Sequence, residues 1–170
     1  MDTGGAADIE VLPGHLLRRC QQIAVGIFLD ECRALDLTPL QYAVLQTLAK
    51  LGPVDQVRLG GHAALDRTTV TVVVGKLAER GLLARSPSPK DRRAKIVAIT
   101  EAGAALLARA VPHVLAAQAR MTAPFTEEER GAFLALLQKF ASANNSLSRA
   151  PMAAPPVVSD DAGQVQKAGQ

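Results

Sequence analysis

Aromatic residues are scarce in this chain, with no Trp, one Tyr and four Phe among 170 residues. Stacking on single-stranded nucleic acid needs aromatic platforms, so that mode of binding is poorly supplied. Cysteine is limited to Cys20 and Cys32. On one expected helix the two would stand roughly 18 Å apart, beyond disulfide reach. Paired-Cys metal spacing, an HExxH helix and a phosphate-binding Gly loop are all missing. His15, His62 and His113 are scattered along the chain. No catalytic residue, cofactor or metal is therefore expected, and the chain does not read as an enzyme. Long apolar runs are also lacking. The longest uncharged stretch, residues 37–49, has 13 residues and contains Pro39, too short to span a bilayer. Residues 1–10 lack the basic start and apolar centre of a secretory signal. The expectation is a cytoplasmic protein with no membrane partner. Net charge is only +3, from 19 basic and 16 acidic residues, so local clustering carries more information than the total.

What is present is apolar content of 48%, enough for a core, arranged mostly with helical spacing. Residues 1–11 read as a disordered N-terminus. Pro13 suits the first turn of a helix. Leu16, Leu17, Cys20, Ile23, Ala24, Ile27 and Phe28 then form a broad stripe, with Val25 and Leu29 on the other side. A helix apolar on two sides buries both, one in its own subunit and one against a partner. Thr38 and Pro39 open a second helix to about Lys50, and "LGP" at 51–53 breaks it. A short helix follows from about Asp55 to Ala63, where Gly60 and Gly61 would let another helix cross closely. Asp66 caps that next helix, "RTTVTVVVGKLAER", and Gly81 ends it. Its β-branched run also suits a strand, but Val70, Val73, Val74 and Leu77 keep helical spacing. Residues 82–85 and 95–99 read as a β-hairpin around the turn "SPSPKDRR". Thr100 caps an Ala- and Leu-rich helix to about Arg120, which Pro112 should kink. "TEEE" at 126–129 is a capping box for a last helix carrying Phe133, Leu136, Leu137 and Phe140. Residues 144–170 turn to Ser, Ala, Pro and Gly and read as a disordered tail.

The order short helix, turn, helix, strand and basic hairpin is that of a winged helix-turn-helix. The fold class is mainly α with a small β-hairpin wing, plus a helical dimerisation region. A helix fits the major groove of duplex DNA, where its outward residues meet base edges. With Val70, Val73, Val74 and Leu77 inward, Arg67, Thr68, Thr69, Thr71, Val72 and Lys76 are left facing outward. Lys90, Arg92 and Arg93 at the hairpin tip suit a narrow minor groove, which concentrates negative potential. A solvated basic loop explains the tip taken alone; the ordered helix pair and hairpin around it favour DNA.

The stretch "LTPLQYAVLQTLAKLGPVDQVRLGGHAALDRTTVTVVVGKLAERGLLARSPSPKDRRAKIVAITEAG", residues 37–103, resembles the MarR family of bacterial transcriptional regulators. "LTPLQY", "TTVTVVVGKLAERGLLAR" and "DRRAKIVAITEAG" carry the likeness, which extends over about residues 10–142. It implies a homodimer on a pseudo-palindromic double-stranded operator, acting in the cytoplasm. One MarR-type domain would cover residues 12–143, with dimerisation helices at about 12–35 and 100–143 and the winged helix-turn-helix at about 37–100. Arg93 would enter the minor groove and Asp91 would brace the hairpin. "TVVVGK" departs from the family in having few polar groups on the reading helix. Many members release DNA when a small aromatic acid binds between the dimer helices and the DNA-binding lobe.

"PGHLLRRCQQIAVGIF", residues 13–28, resembles a narrower group of that family, the repressors of nicotinate catabolism induced by 6-hydroxynicotinate. His15, Arg18, Arg19 and Gln22 share the polar side of the first helix, and Arg suits bidentate grip on a carboxylate. The same residues could instead be solvated or form ion pairs between subunits. Cys20 reads as a buried apolar-like residue or as a peroxide-sensing thiol, since Arg18 and Arg19 precede it.

Overall fold

The computed structural model describes residues 8–88 and 95–153. Among them, six helices and three strands run in the order α1 (Pro13–Glu31), α2 (Pro39–Leu51), β1 (Val54–Asp55), α3 (Gln56–Ala63), α4 (Arg67–Glu79), β2 (Leu83–Pro87), β3 (Lys95–Ile99), α5 (Glu101–Thr122) and α6 (Glu127–Ala143). None of these helices is long and apolar enough to cross a membrane.

Helix starts follow local chemistry. Thr38 and Gln41 cap α2 reciprocally, as Thr126 and Glu129 cap α6. The β-branched run of α4 forms a helix because packing outweighs propensity. Val70, Val73, Val74 and Leu77 are all buried. Each buried apolar side chain contributes about 1.5–3 kcal/mol, whereas a β-branched residue costs up to about 0.7 kcal/mol in helix propensity.

The core gathers Val44, Leu45 and Leu48 of α2, Leu59 of α3, Val74 and Leu77 of α4, and Val97 of β3. Phe28 and Cys32 close it from the end of α1, and Leu106, Leu107 and Ala110 from α5. Gly81, at φ 70°, turns the chain from α4 towards β2. Thr100 then ties the exit of the sheet to that turn. Its hydroxyl donates to the Gly81 carbonyl at 2.8 Å, and its N–H donates to the Leu82 carbonyl at 3.1 Å.

Several sequence expectations need correction. The hairpin is part of a three-stranded antiparallel sheet, ordered β1-β3-β2, in which Val54 pairs with Val97. Two residues are too few for strand periodicity, so β1 left no pattern to read. The N-terminal segment is not irregular through residue 11: Ile9–Val11 forms a 3-10 turn that Asp8 caps. The segment after α6 is ordered at least to residue 153, because Asn145 and Gly61 offer it hydrogen bonds. Cys32 is buried just beyond α1, and burial pushes its thiol pKa up. Cys20, by contrast, is exposed. The side of α1 that carries it is uncovered in a single chain, and Leu16, Leu17 and Ile23 are exposed there too.

Candidate nucleic-acid interface

The helix-turn-helix rests on a close approach at Gly60. A Cβ there would lie 2.8 Å from the Leu65 carbonyl and 3.6 Å from Cγ1 of Val70. Without a side chain at this point, Leu65 N–H donates to the Gly60 carbonyl at 2.9 Å. Ala64 takes a left-handed conformation, φ 52°, to make the turn. Asp66 then caps α4, accepting the Thr69 N–H at 2.9 Å and the Thr69 hydroxyl at 2.7 Å. The Thr69 backbone bond first, then its hydroxyl bond, holds the Asp66 carboxyl below the usual carboxylate range.

With one face of α4 packed, the opposite face is open. Arg67, Thr68, Thr71, Val72 and Lys76 are exposed. Val72 is 51% exposed, an apolar β-branched group placed outward where a thymine methyl could meet it. Among the described residues, Arg67 and Lys76 are in no ion pair. The Thr71 hydroxyl donates back to the Arg67 carbonyl at 2.8 Å, leaving its methyl for contact. Thr69 is half-buried at the edge of that face, and its hydroxyl is engaged by Asp66, so it also shapes the helix start.

The wing strands β2 and β3 pair as far as Pro87 and Lys95. Lys90, Asp91, Arg92 and Arg93 lie outside the described residues. Two arginines with structural roles escaped the sequence reading. Arg85 of β2 donates to the Val74 carbonyl of α4 at 3.3 Å, linking wing and reading helix. Arg80, after α4, donates to the Asp36 carbonyl at 2.6 Å and the Leu35 carbonyl at 3.3 Å. Arg80 also pairs with the Asp36 carboxylate at 3.7 Å; neither arginine has a local sequence signal, because its partners lie on distant parts of the chain.

His15, Arg18, Arg19 and Gln22 lie on the first half of α1, with His15 half-buried and the others exposed. Arg18 donates to Gln22 Oε1 at 2.9 Å. None of the four lines the nearby recess of about 640 Å³, formed by Ile23, Gly26, Ile27, Leu29, Asp30, Arg33 and Arg120. Among the described residues, no three His, Cys, Asp or Glu side chains converge as metal ligands would.

Residues 37–95 match the MarR family model. Over 132 residues the chain is 36% identical to the HTH-type transcriptional repressor NicR of Pseudomonas putida, covering 78% of this chain and 84% of that protein. The chain belongs to the MarR family. It is a DNA-binding transcriptional regulator of the winged-helix type, not an enzyme. Solved structures of MarR-family relatives agree in fold. BpsR of Bordetella bronchiseptica, whose DNA binding is regulated by 6-hydroxynicotinic acid, superposes with a TM-score of 0.70 at 36% identity, covering 75% of this chain and 97% of BpsR. The repressor CouR, solved on a 23-mer DNA duplex, gives a TM-score of 0.73 at 30% identity, covering 81% of this chain and 97% of CouR.

Proposed function

We propose that this MarR-family chain is a homodimeric repressor that holds a pseudo-palindromic operator in the cytoplasm and releases it on binding a small aromatic acid. The observation that carries the DNA reading is the split of α4 into a packed face and an open face bearing Arg67, Thr68, Thr71, Val72 and Lys76. Thr69 would support them from the cap, and Lys90, Arg92 and Arg93 would hold the minor groove from the wing tip. Residues 37–100 would form the reading lobe, and residues 12–35 and 100–143 the dimer. The dimer reading is supported by apolar side chains that a single chain leaves uncovered. They include Leu16, Leu17, Ile23, Val25 and Leu29 of α1, Leu115 of α5, and Leu134, Leu136, Leu137 and Phe140 of α6. Large exposed apolar patches mark interaction sites, and these side chains all lie on the helices outside the helix-turn-helix. Two reading helices would then meet half-sites roughly 34 Å apart.

The effector proposed is 6-hydroxynicotinate, in a cleft between α1 and the reading lobe. The likeness to NicR and to BpsR supports it. Its carboxylate would meet His15 and Arg18 or Arg19, with Gln22 alongside. Arg18 uses one N–H on Gln22, and a guanidinium has five. A ligand releases DNA only by preferring a dimer geometry that no longer fits the operator. Each tenfold preference yields about 1.4 kcal/mol of coupling.

The test is calorimetry with 6-hydroxynicotinate, nicotinate and salicylate, paired with operator-release assays. The first acid should bind and release operator. His15→Ala and Arg18→Ala should lose that response and keep DNA binding. A second reading rests on the exposure of Cys20: if all three acids are ignored while peroxide releases operator, Cys20 is the sensor.

A further inference from the structure

The chain after α6 folds back onto the helix-turn-helix. Asn145–Leu147 makes a 3-10 turn, and the Asn145 side chain then grips Met152 twice. Met152 N–H donates to Asn145 Oδ1 at 2.8 Å, and Asn145 Nδ2 donates to the Met152 carbonyl at 3.1 Å. Inside the loop so closed, Ala150 N–H donates to Ser148 Oγ at 3.1 Å. The grip aims the next amide at α3, where Ala153 N–H donates to the Gly61 carbonyl at 2.9 Å. That carbonyl lies in the last turn of α3, where carbonyls have no partner within the helix. A Cβ on Gly61 would stand 3.5 Å from the Ala153 Cβ, so the segment packs directly on the helix. Between segment and helices lies a recess of about 790 Å³. Phe140 and Ala141 of α6, Leu147 and Met152 of the segment, and Ala64 line it, among others. Ala64 is the left-handed joint between α3 and α4.

The contact joins two parts that the covalent chain connects only through the sheet and the length of α5. On one side is the end of α6, an element of the proposed dimer. On the other is the turn that sets the angle of the reading helix. We infer that residues 145–153 form a strap that fixes the helix-turn-helix against α6 and so preorganises it for the operator. This rests on the DNA-binding reading above. A lobe held in one orientation keeps its binding-competent fraction high, and apparent affinity falls in proportion when that fraction drops. The strap acts within one chain and needs no ligand to close.

The experiment uses the full-length dimer, Asn145→Ala, and a chain ending at residue 144. Amide hydrogen exchange and operator affinity are measured on each, with sedimentation to confirm the same oligomeric state as wild type. In wild type, the amides of Met152 and Ala153 should be protected. Asn145→Ala should release both, and either variant should bind operator more weakly, by on the order of threefold to tenfold. Ala153→Ser keeps the N–H donor and should behave as wild type. Unprotected Met152 and Ala153 amides in wild type overturn the strap, as does operator affinity unchanged in both variants. If wild type bound no operator at all, the function reading would fall, while the exchange of these two amides would still decide whether the strap exists.

Discussion

Arg120 of α5 places Nη1 2.6 Å from Oδ2 of Asp30 and 3.1 Å from Oε1 of Glu31, both on α1. Asp30 also receives Arg33 on its other oxygen at 2.8 Å. One carboxylate thus sits between two guanidinium groups where the ends of α1 and α5 meet, beside the recess that both helices line. The Arg120 hydrogen bond first, then the charges of Arg120 and Arg33, holds the Asp30 carboxyl below its ordinary range.

That shift has a sign. A carboxyl with a lowered native pKa contributes stability above its unfolded-state pKa of about 3.9, and loses it as pH falls through the lower native value. Asp30→Asn should therefore lower the melting temperature slightly at neutral pH and leave it unchanged at the acid end of that window. The groups are exposed, so the difference should shrink in high salt. Thermal melts of both proteins across pH 2–7 check it; an equal loss at every pH would refute the pairing.

The two faces of α4 should separate stability from reading. Leu77 is fully buried, and Leu77→Ala should cost about 2–5 kcal/mol in denaturant unfolding. Val72→Ala, on the open face, should change stability by less than about 0.5 kcal/mol. It should instead alter preference among operators that differ at one thymine. Equal stability losses for the two variants would mean that the open face is packed.

Arg67→Ala and Arg93→Ala should each weaken operator binding and leave the fold intact; Arg67 is exposed, and surface substitutions away from special features rarely cost stability. An arginine on a phosphate contributes one released counterion, so the slope of log affinity against log salt should fall by about 1. Arg93, if it reads a narrow minor groove, should also reduce discrimination between A·T and G·C flanks. Affinity that matches wild type at every salt concentration would remove the residue concerned from the interface.

Gly103→Ala should destabilise the junction of sheet and α5. A Cβ at residue 103 would run into the Leu82 carbonyl and stand 2.9 Å from Cγ1 of Ile99. The same carbonyl accepts the Thr100 N–H, so it cannot move without breaking the end of the sheet. Overpacking of this kind costs about 1–3 kcal/mol. Gly131→Ala, where a Cβ meets open space, is the control and should be neutral or stabilising by helix propensity. Identical melting curves for Gly103→Ala and wild type would count against this packing.

The sequence by itself determined the helices and the inward face of α4. Caps such as Thr38, Asp66 and Thr126 act within four residues, and Val70, Val73, Val74 and Leu77 repeat with the period of the helix they build. The resemblance in residues 37–103 likewise anticipated the family. Tertiary structure decided what local pattern cannot encode. Val54–Asp55 is a strand only because Val97 and Ile96 of β3 lie opposite it. Cys20 and Cys32 look alike in the sequence, yet one is exposed and the other is buried where α1 meets the core. The segment after residue 144 has the composition of a tail, yet residues 145–153 are held by the Asn145 side chain and the Gly61 carbonyl. Those partners are seven or more residues away along the chain, or on another helix, and a hydrogen bond at that separation leaves no trace in composition or period.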